Sequence, residues 1–128
     1  MAAAKILVVE DNPLNMELVT GLLEAAGYAV RQAFSAEDGL LLAQQERPDL
    51  ILMDIRLPGM DGHAAVQVLK QDPRTRNIPT LALTAQAMKG DDEVALQAGF
   101  DGYITKPIDT RTFPQTVARL LGTHGNAS

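Results

Sequence analysis

The 128-residue chain contains no cysteine and no tryptophan. Without cysteine there is neither a disulfide framework nor a thiolate metal site, a composition that suits a cytoplasmic protein. No apolar run approaches the ~20 residues a membrane span needs, so no membrane segment is expected. Met1-Ala-Ala-Ala-Lys5 leads straight into a candidate strand, which predicts no signal peptide. Positive charge is in deficit, with 11 Lys and Arg against 16 Asp and Glu and a net charge of -5. Such a chain repels a polyanion and is not expected to grip nucleic acid on its own. Internal linkers and low-complexity stretches are absent, so residues 1–128 are read as one domain.

What is present is a 46% hydrophobic content arranged as strand then helix, five times over. Lys5–Val9 is the first expected strand, apolar enough for burial on both faces. Asn12-Pro13 supplies an N-cap candidate and a proline at the first helical position. The helix it opens runs to about Ala26, with Leu18, Val19, Leu22 and Leu23 on one stripe and Gly27 to end it. Ala29–Phe34 is a weaker strand. Ser35-Ala-Glu-Asp38 resembles a capping box for a helix through Leu40, Leu41 and Ala43, which Pro48 stops.

Leu50–Met53 is the most apolar strand and is expected to be central. A Pro58-Gly59-Met-Asp-Gly62 loop precedes a helix over Ala64–Gln71. Pro79–Thr84 is the fourth strand. Lys89–Ala98 reads as a helix with little to bury, and Gly102–Thr105 as a short fifth strand. A last helix starts between Thr110 and Phe113 and carries Val117, Leu120 and Leu121. The core is expected over about residues 5–121, with 122–128 a flexible tail that frays from His124.

Short apolar strands alternating with helices predict an α/β fold with a doubly wound parallel five-stranded sheet, flavodoxin-like, in the order 2-1-3-4-5. Its switch point lies between the first and third strands, and ligands bind there, at the carboxyl ends. Those strands end at Glu10-Asp11 and at Asp54. Carboxylates crowded together repel one another unless a cation joins them, so the three acids imply a divalent metal. Lys106, after the fifth strand, implies an anion beside it.

Four segments in this order resemble the receiver domain of two-component response regulators, in particular its single-domain members. They are Val8-Val-Glu-Asp-Asn12, Met53-Asp-Ile-Arg-Leu-Pro-Gly-Met-Asp-Gly62, Leu83-Thr-Ala85 and Tyr103-Ile-Thr-Lys-Pro107. The single-domain likeness is carried by Glu10-Asp-Asn-Pro-Leu-Asn-Met16 and Ala87-Met-Lys-Gly-Asp91. The resemblance implies a phosphorylation-activated signalling switch with Asp54 as phosphoryl acceptor. An ionised carboxylate placed in line with a donor is a competent nucleophile for that transfer.

It further implies Mg²⁺ held by Asp11, Asp54 and the backbone carbonyl of Arg56, with Glu10 acting through water. Mg²⁺ takes octahedral oxygen ligands and keeps several waters, which suits few carboxylates plus a phosphate. Lys106 becomes the counter-charge for the acyl phosphate, aimed inwards because the family's Lys-Pro bond is cis. Thr84 becomes the hydroxyl that reads the phosphoryl group, and Tyr103 the aromatic that follows it.

The implied donor is a sensor histidine kinase or a histidine phosphotransfer protein. The implied output is a protein target met through the 89–98 helix, strand 102–105 and the last helix. Arg56 and Gln86 should flank the approach of a hydrolytic water. Arg56 is long enough to screen the phosphoryl group, whereas Gln86 either orients a water or blocks it.

Other readings weigh less. A phosphatase of the haloacid-dehalogenase type needs a second aspartate two residues after the acceptor, where this chain has Arg56. A flavodoxin-like electron carrier needs a Ser/Thr/Gly-rich phosphate loop after the first strand, which is missing. A binding module that is never phosphorylated does not account for Glu10, Asp11, Asp54, Thr84 and Lys106 together. The protein is therefore not expected to be an enzyme beyond its own phosphoryl transfer and slow dephosphorylation. Its start and tail favour a free-standing chain over a piece of a hybrid kinase. His63 and His124 read as surface residues. Leu14 and Met16 read as edge packing beside the site, with partner docking as the alternative.

Overall fold

The structure, a computed structural model, describes residues 3–57, 60, 62–84, 99–105 and 108–125. The expected 89–98 helix, Lys106, Pro107 and Gln86 lie outside the described residues. Strands β1 (Lys5–Val9), β2 (Ala29–Ala33), β3 (Leu50–Asp54), β4 (Thr80–Thr84) and β5 (Gly102–Thr105) form one sheet. All pairs are parallel and the order is β2-β1-β3-β4-β5, as the sequence predicts.

The period-two alternation of a strand divides the core into two layers. Leu7, Val9, Ile51 and Met53 point to one face. There they meet helices α2 (Ala36–Glu46) and α3 (Gly62–Gln71) through Leu40, Ala43, Val66 and Leu69. Ile6, Val8, Leu50 and Leu52 point to the other face. They meet α1 (Pro13–Ala25) and α4 (Phe113–Gly125) through Met16, Val19, Leu23, Phe113 and Val117. Every residue of β3 and β4 is buried, which makes β3 central as expected. The edge strands β2 and β5 are mostly half-buried or exposed.

Local chemistry sets the helix ends. Asn12 is extended at the N-cap of α1, and its side-chain oxygen accepts from the Leu14 N–H at 2.9 Å and the Asn15 N–H at 3.2 Å. Gly27, at φ 96°, turns the chain from α1 into β2. Ser35 caps α2 by accepting from the Asp38 N–H at 3.1 Å. At the far end of α2, Arg47 takes a left-handed φ of 48° directly before Pro48. Proline disfavours helical geometry in the residue before it, which explains the stop. At the bottom of the sheet, Lys70 Nζ donates to Asp101 at 2.9 Å, and the same carboxylate oxygen accepts from the Thr80 N–H at 2.8 Å. That cluster ties the end of α3 to the starts of β4 and β5.

Four expectations differ in detail. Leu18 is exposed, not part of the buried stripe of α1, which runs through Met16, Val19 and Leu23. Leu41 is likewise exposed, while Leu40 and Ala43 on either side are buried. Helix α3 begins at Gly62, two residues before the sequence placed it, and α4 continues to Gly125.

Candidate functional site

The carboxyl ends of β1 and β3 are neighbours, with Val9 opposite Met53 in register. The residues that follow therefore converge. Glu10, Asp11 and Asp54 offer one carboxylate oxygen each, all within 4.8 Å of one another. Glu10 and Asp54 are buried and Asp11 is exposed. A charged group held out of water needs partners. Glu10 has the Asn12 N–H donating to Oε2 at 3.2 Å, and its own N–H donates to the Ala33 carbonyl at 3.0 Å. Those bonds lock the turn from β1 into α1 while leaving Asp11 at the rim.

Asp54 closes the most buried strand, and the Arg56 N–H donates to its Oδ1 at 2.9 Å, which fixes the plane of the carboxylate. The loop after it is drawn back onto the strand, with the Gly62 N–H donating to the Ile55 carbonyl at 2.7 Å. Gly62 sits so close that a Cβ there would lie 2.6 Å from the Asp54 carbonyl oxygen and 2.7 Å from Ile55 Cα. Only glycine permits that approach, so the position of Asp54 depends on Gly62. Sequence reasoning placed Gly62 in a loop and missed this contact; the Met60-Asp-Gly62 run was its signal.

An oxygen shell fits the cluster. Octahedral Mg²⁺–oxygen bonds of about 2.1 Å put neighbouring ligand atoms roughly 3 Å apart and opposite ones about 4.2 Å apart. The three carboxylates span little more than that, so two direct ligands with a third reached through water match the spacing. Thr84 is buried at the end of β4, one residue past Leu83, the register partner of Asp54. Its strand neighbour is Thr105, and Tyr103, 38% exposed, lies two residues earlier on β5. The chain brings Glu10, Asp11, Asp54 and the Arg56 backbone together, with Thr84 at the end of the adjacent strand; Lys106 follows Thr105 and falls outside the described residues.

Two sequence readings are corrected here. His63 is half-buried, its ring edge-on to Phe100 at 6.3 Å, and its Nε2 is buried with no hydrogen-bond partner among the described residues. The helix start carries it under the chain that enters β5. Met16, expected to pack at the edge, is buried in the core at 2% exposure, whereas Leu14 is 76% exposed, which favours the docking alternative over edge packing.

The response regulator receiver domain family matches residues 6–118. The chain belongs to that family. A receiver domain is the phosphorylation-dependent switch of a two-component system. The polar-differentiation response regulator DivK of Brucella anthropi is 46% identical over 117 residues, covering 91% of this chain and 95% of its own. A receiver domain of a Pseudomonas aeruginosa sensor histidine kinase was solved with a magnesium ion coordinated in its active-site cleft. It is 37% identical with a TM-score of 0.88, over 94% of this chain and 99% of that one. A CheY-like receiver domain from Methanospirillum hungatei reaches a TM-score of 0.90 at 27% identity, over 99% and 100% of the two chains.

Proposed function

We propose that Asp54 accepts the phosphoryl group in this receiver domain. The observation that carries the proposal is the convergence of Glu10, Asp11 and Asp54 at the sheet's switch point, with Asp54 on the fully buried β3. An Asp54 carboxylate oxygen attacks phosphorus and an acyl phosphate forms. The bond from phosphorus to the donor imidazole breaks, and that nitrogen keeps the electron pair and takes up a proton. Little covalent work falls to the protein, so positioning and charge carry the rate. The Arg56 N–H holds the carboxylate plane while this happens.

Asp11, Asp54 and the Arg56 carbonyl are the proposed Mg²⁺ ligands, with Glu10 reached through water. The ion supplies charge neutralisation at the phosphoryl oxygens. Lys106 is the proposed second cation. Thr84 donates its hydroxyl to the product and Tyr103 responds. Arg56, exposed beside the acceptor, is proposed to screen the product from water and so slow its hydrolysis.

The donor is proposed to be the phosphohistidine of a sensor histidine kinase or phosphotransfer protein in the cytoplasm, with Leu14 and Leu18 giving it apolar surface next to the site. The output surface is proposed to be β5, α4 and residues 89–98, meeting a protein target. Incubation with acetyl phosphate and Mg²⁺, followed by intact-mass measurement, tests the acceptor. Wild type should gain one phosphoryl group and Asp54→Asn none; stoichiometric labelling of the variant would place the acceptor elsewhere.

A further inference from the structure

We propose that the open edge of β2 takes an extended, lysine- or arginine-bearing segment of a partner protein as a sixth strand. The strand order leaves β2 at the sheet's edge. The Ala29 N–H donates to Ala4 and the Ala33 carbonyl accepts from Glu10, so these residues turn their amides toward β1. By the alternation of a parallel ladder, Val30 and Gln32 turn theirs outward. An edge with donors and acceptors aimed outward is a template for strand addition.

This edge is also the floor of a cleft. One stretch of about 320 Å³ runs between α1 and the end of β2, past Met16, Thr20, Gly21 and Phe34. A second of about 480 Å³ continues along Val30, between Thr20 and Glu24 of α1 and Leu42 and Glu46 of α2. Both are lined by Thr20, Glu24 and Gln32, so the two stretches adjoin along the edge of β2.

Three features of the lining point to an occupant. Phe34 is 49% exposed, whereas Phe100 and Phe113 are buried, so the cleft has an aromatic anchor at one end. A Cβ on Gly21 would meet nothing within 4 Å. The packing of α1 therefore does not require glycine in mid-helix, and its absence of a side chain leaves the cleft wall open to close approach. Arg31 also lines the second stretch but is held by Glu46, so the charge left without a counter-ion along the cleft is negative. Glu46 is already taken by Lys5 and Arg31, while among the described residues Glu17 and Glu24 pair with no cation. They lie on the cleft wall two helical turns apart, about 10 Å. A basic, alternating segment is complementary to that wall, and a second copy of this chain, at net charge -5, is not. The Gln32 side chain covers the floor through one exposed hydrogen bond to Thr20 at 3.0 Å, which an incoming strand displaces.

The inference is independent of phosphorylation and is tested on the unphosphorylated full chain. The probe is a short capped peptide of alternating lysine and valine, followed by amide NMR and hydrogen exchange. Saturable shifts should appear at Val30, Gln32 and Phe34, with slowed exchange of the Val30 and Gln32 amides. The same peptide N-methylated at its central amides, and a glutamate–valine peptide, should bind at least about tenfold more weakly.

Gln32→Pro removes an outward donor at an edge position that tolerates proline, and should weaken binding by a similar factor. Phe34→Ala should weaken it too. The proposal is overturned by no saturable shift on β2, by equal binding of the N-methylated or acidic peptide, or by shifts confined to Leu14 and Leu18. Sedimentation showing self-association through β2 without peptide would equally overturn it.

Discussion

Asp54 is placed by backbone as much as by its own side chain. The Arg56 N–H orients its carboxylate, and the Gly62 N–H draws the following loop onto Ile55. A methyl group on Gly62 would press on backbone atoms, which cannot rotate aside as a side chain can. Gly62→Ala should therefore cost roughly 1–3 kcal/mol in a urea melt. It should also slow labelling by acetyl phosphate, because the loop and Asp54, the proposed acceptor, must move together. Unchanged labelling at lowered stability would separate the two roles. The acids were legible in the sequence because they end two strands that the expected order makes neighbours at the switch point. The setting of His63 was not, because its burial depends on Phe100 arriving from a distant part of the chain. Leu14 was misread for a related reason: periodicity gives the buried face of α1, and Leu14 sits at its margin.

Elements were easier to read than their edges. Strands β1 and β5 fall where the apolar runs fall, and β2 and β4 are each one residue shorter. The N-terminal turn of α3 was missed because a Gly-rich loop gives no helical signal, while the tertiary bond from Gly62 to Ile55 starts the helix there. The ion pairs that stitch β1, β2 and α2 together were also invisible, since they join residues far apart in sequence. Glu46 accepts from Arg31 Nε at 2.8 Å and Lys5 Nζ at 3.3 Å. Desolvation pushes its carboxyl up, but the two hydrogen bonds and the attached charges outweigh it and hold the pKa below the ordinary value. A folded-state pKa below the unfolded one stabilises fully above the unfolded value and is lost as pH falls through the folded one. Wild type should thus be more stable than Glu46→Gln at pH 7, with the gap closing as pH falls below about 4.5 and as salt is added. Urea melts of both proteins at neutral and acid pH check this, and a gap that persists in acid would remove the ionic explanation.

Across the whole molecule, the charge that makes the site also works against the fold. A net charge of -5 and three carboxylates within 4.8 Å store repulsion that a divalent cation relieves. Mg²⁺ should raise the melting temperature of wild type. Asp11→Ala should lose that response and melt higher than wild type in metal-free buffer. A wild type indifferent to Mg²⁺ would contradict the cation account.

The same economy decides where a signal can travel. A hydrogen bond to a charged phosphoryl oxygen contributes about 1.5–3 kcal/mol, enough to reweight an element near balance but not to move β3 or β4, which are buried throughout. Such an element must be at an edge and must touch Thr84, the hydroxyl proposed to read the phosphoryl group. Strand β5 meets both conditions: Thr105 pairs with Thr84, Tyr103 pairs with Ala82 and is 38% exposed, and α4 packs behind through Phe113 and Val117. Backbone amide shifts on beryllofluoride binding should therefore spread from the acids into residues 102–105 and α4, and into residues 89–98. Thr84→Ala should keep the shifts at Glu10, Asp11 and Asp54 and lose the distant ones. If wild-type shifts stay confined to those three acids, phosphoryl binding and output are uncoupled in this chain, and Thr84 is a strand-end hydroxyl bonded to its own surroundings.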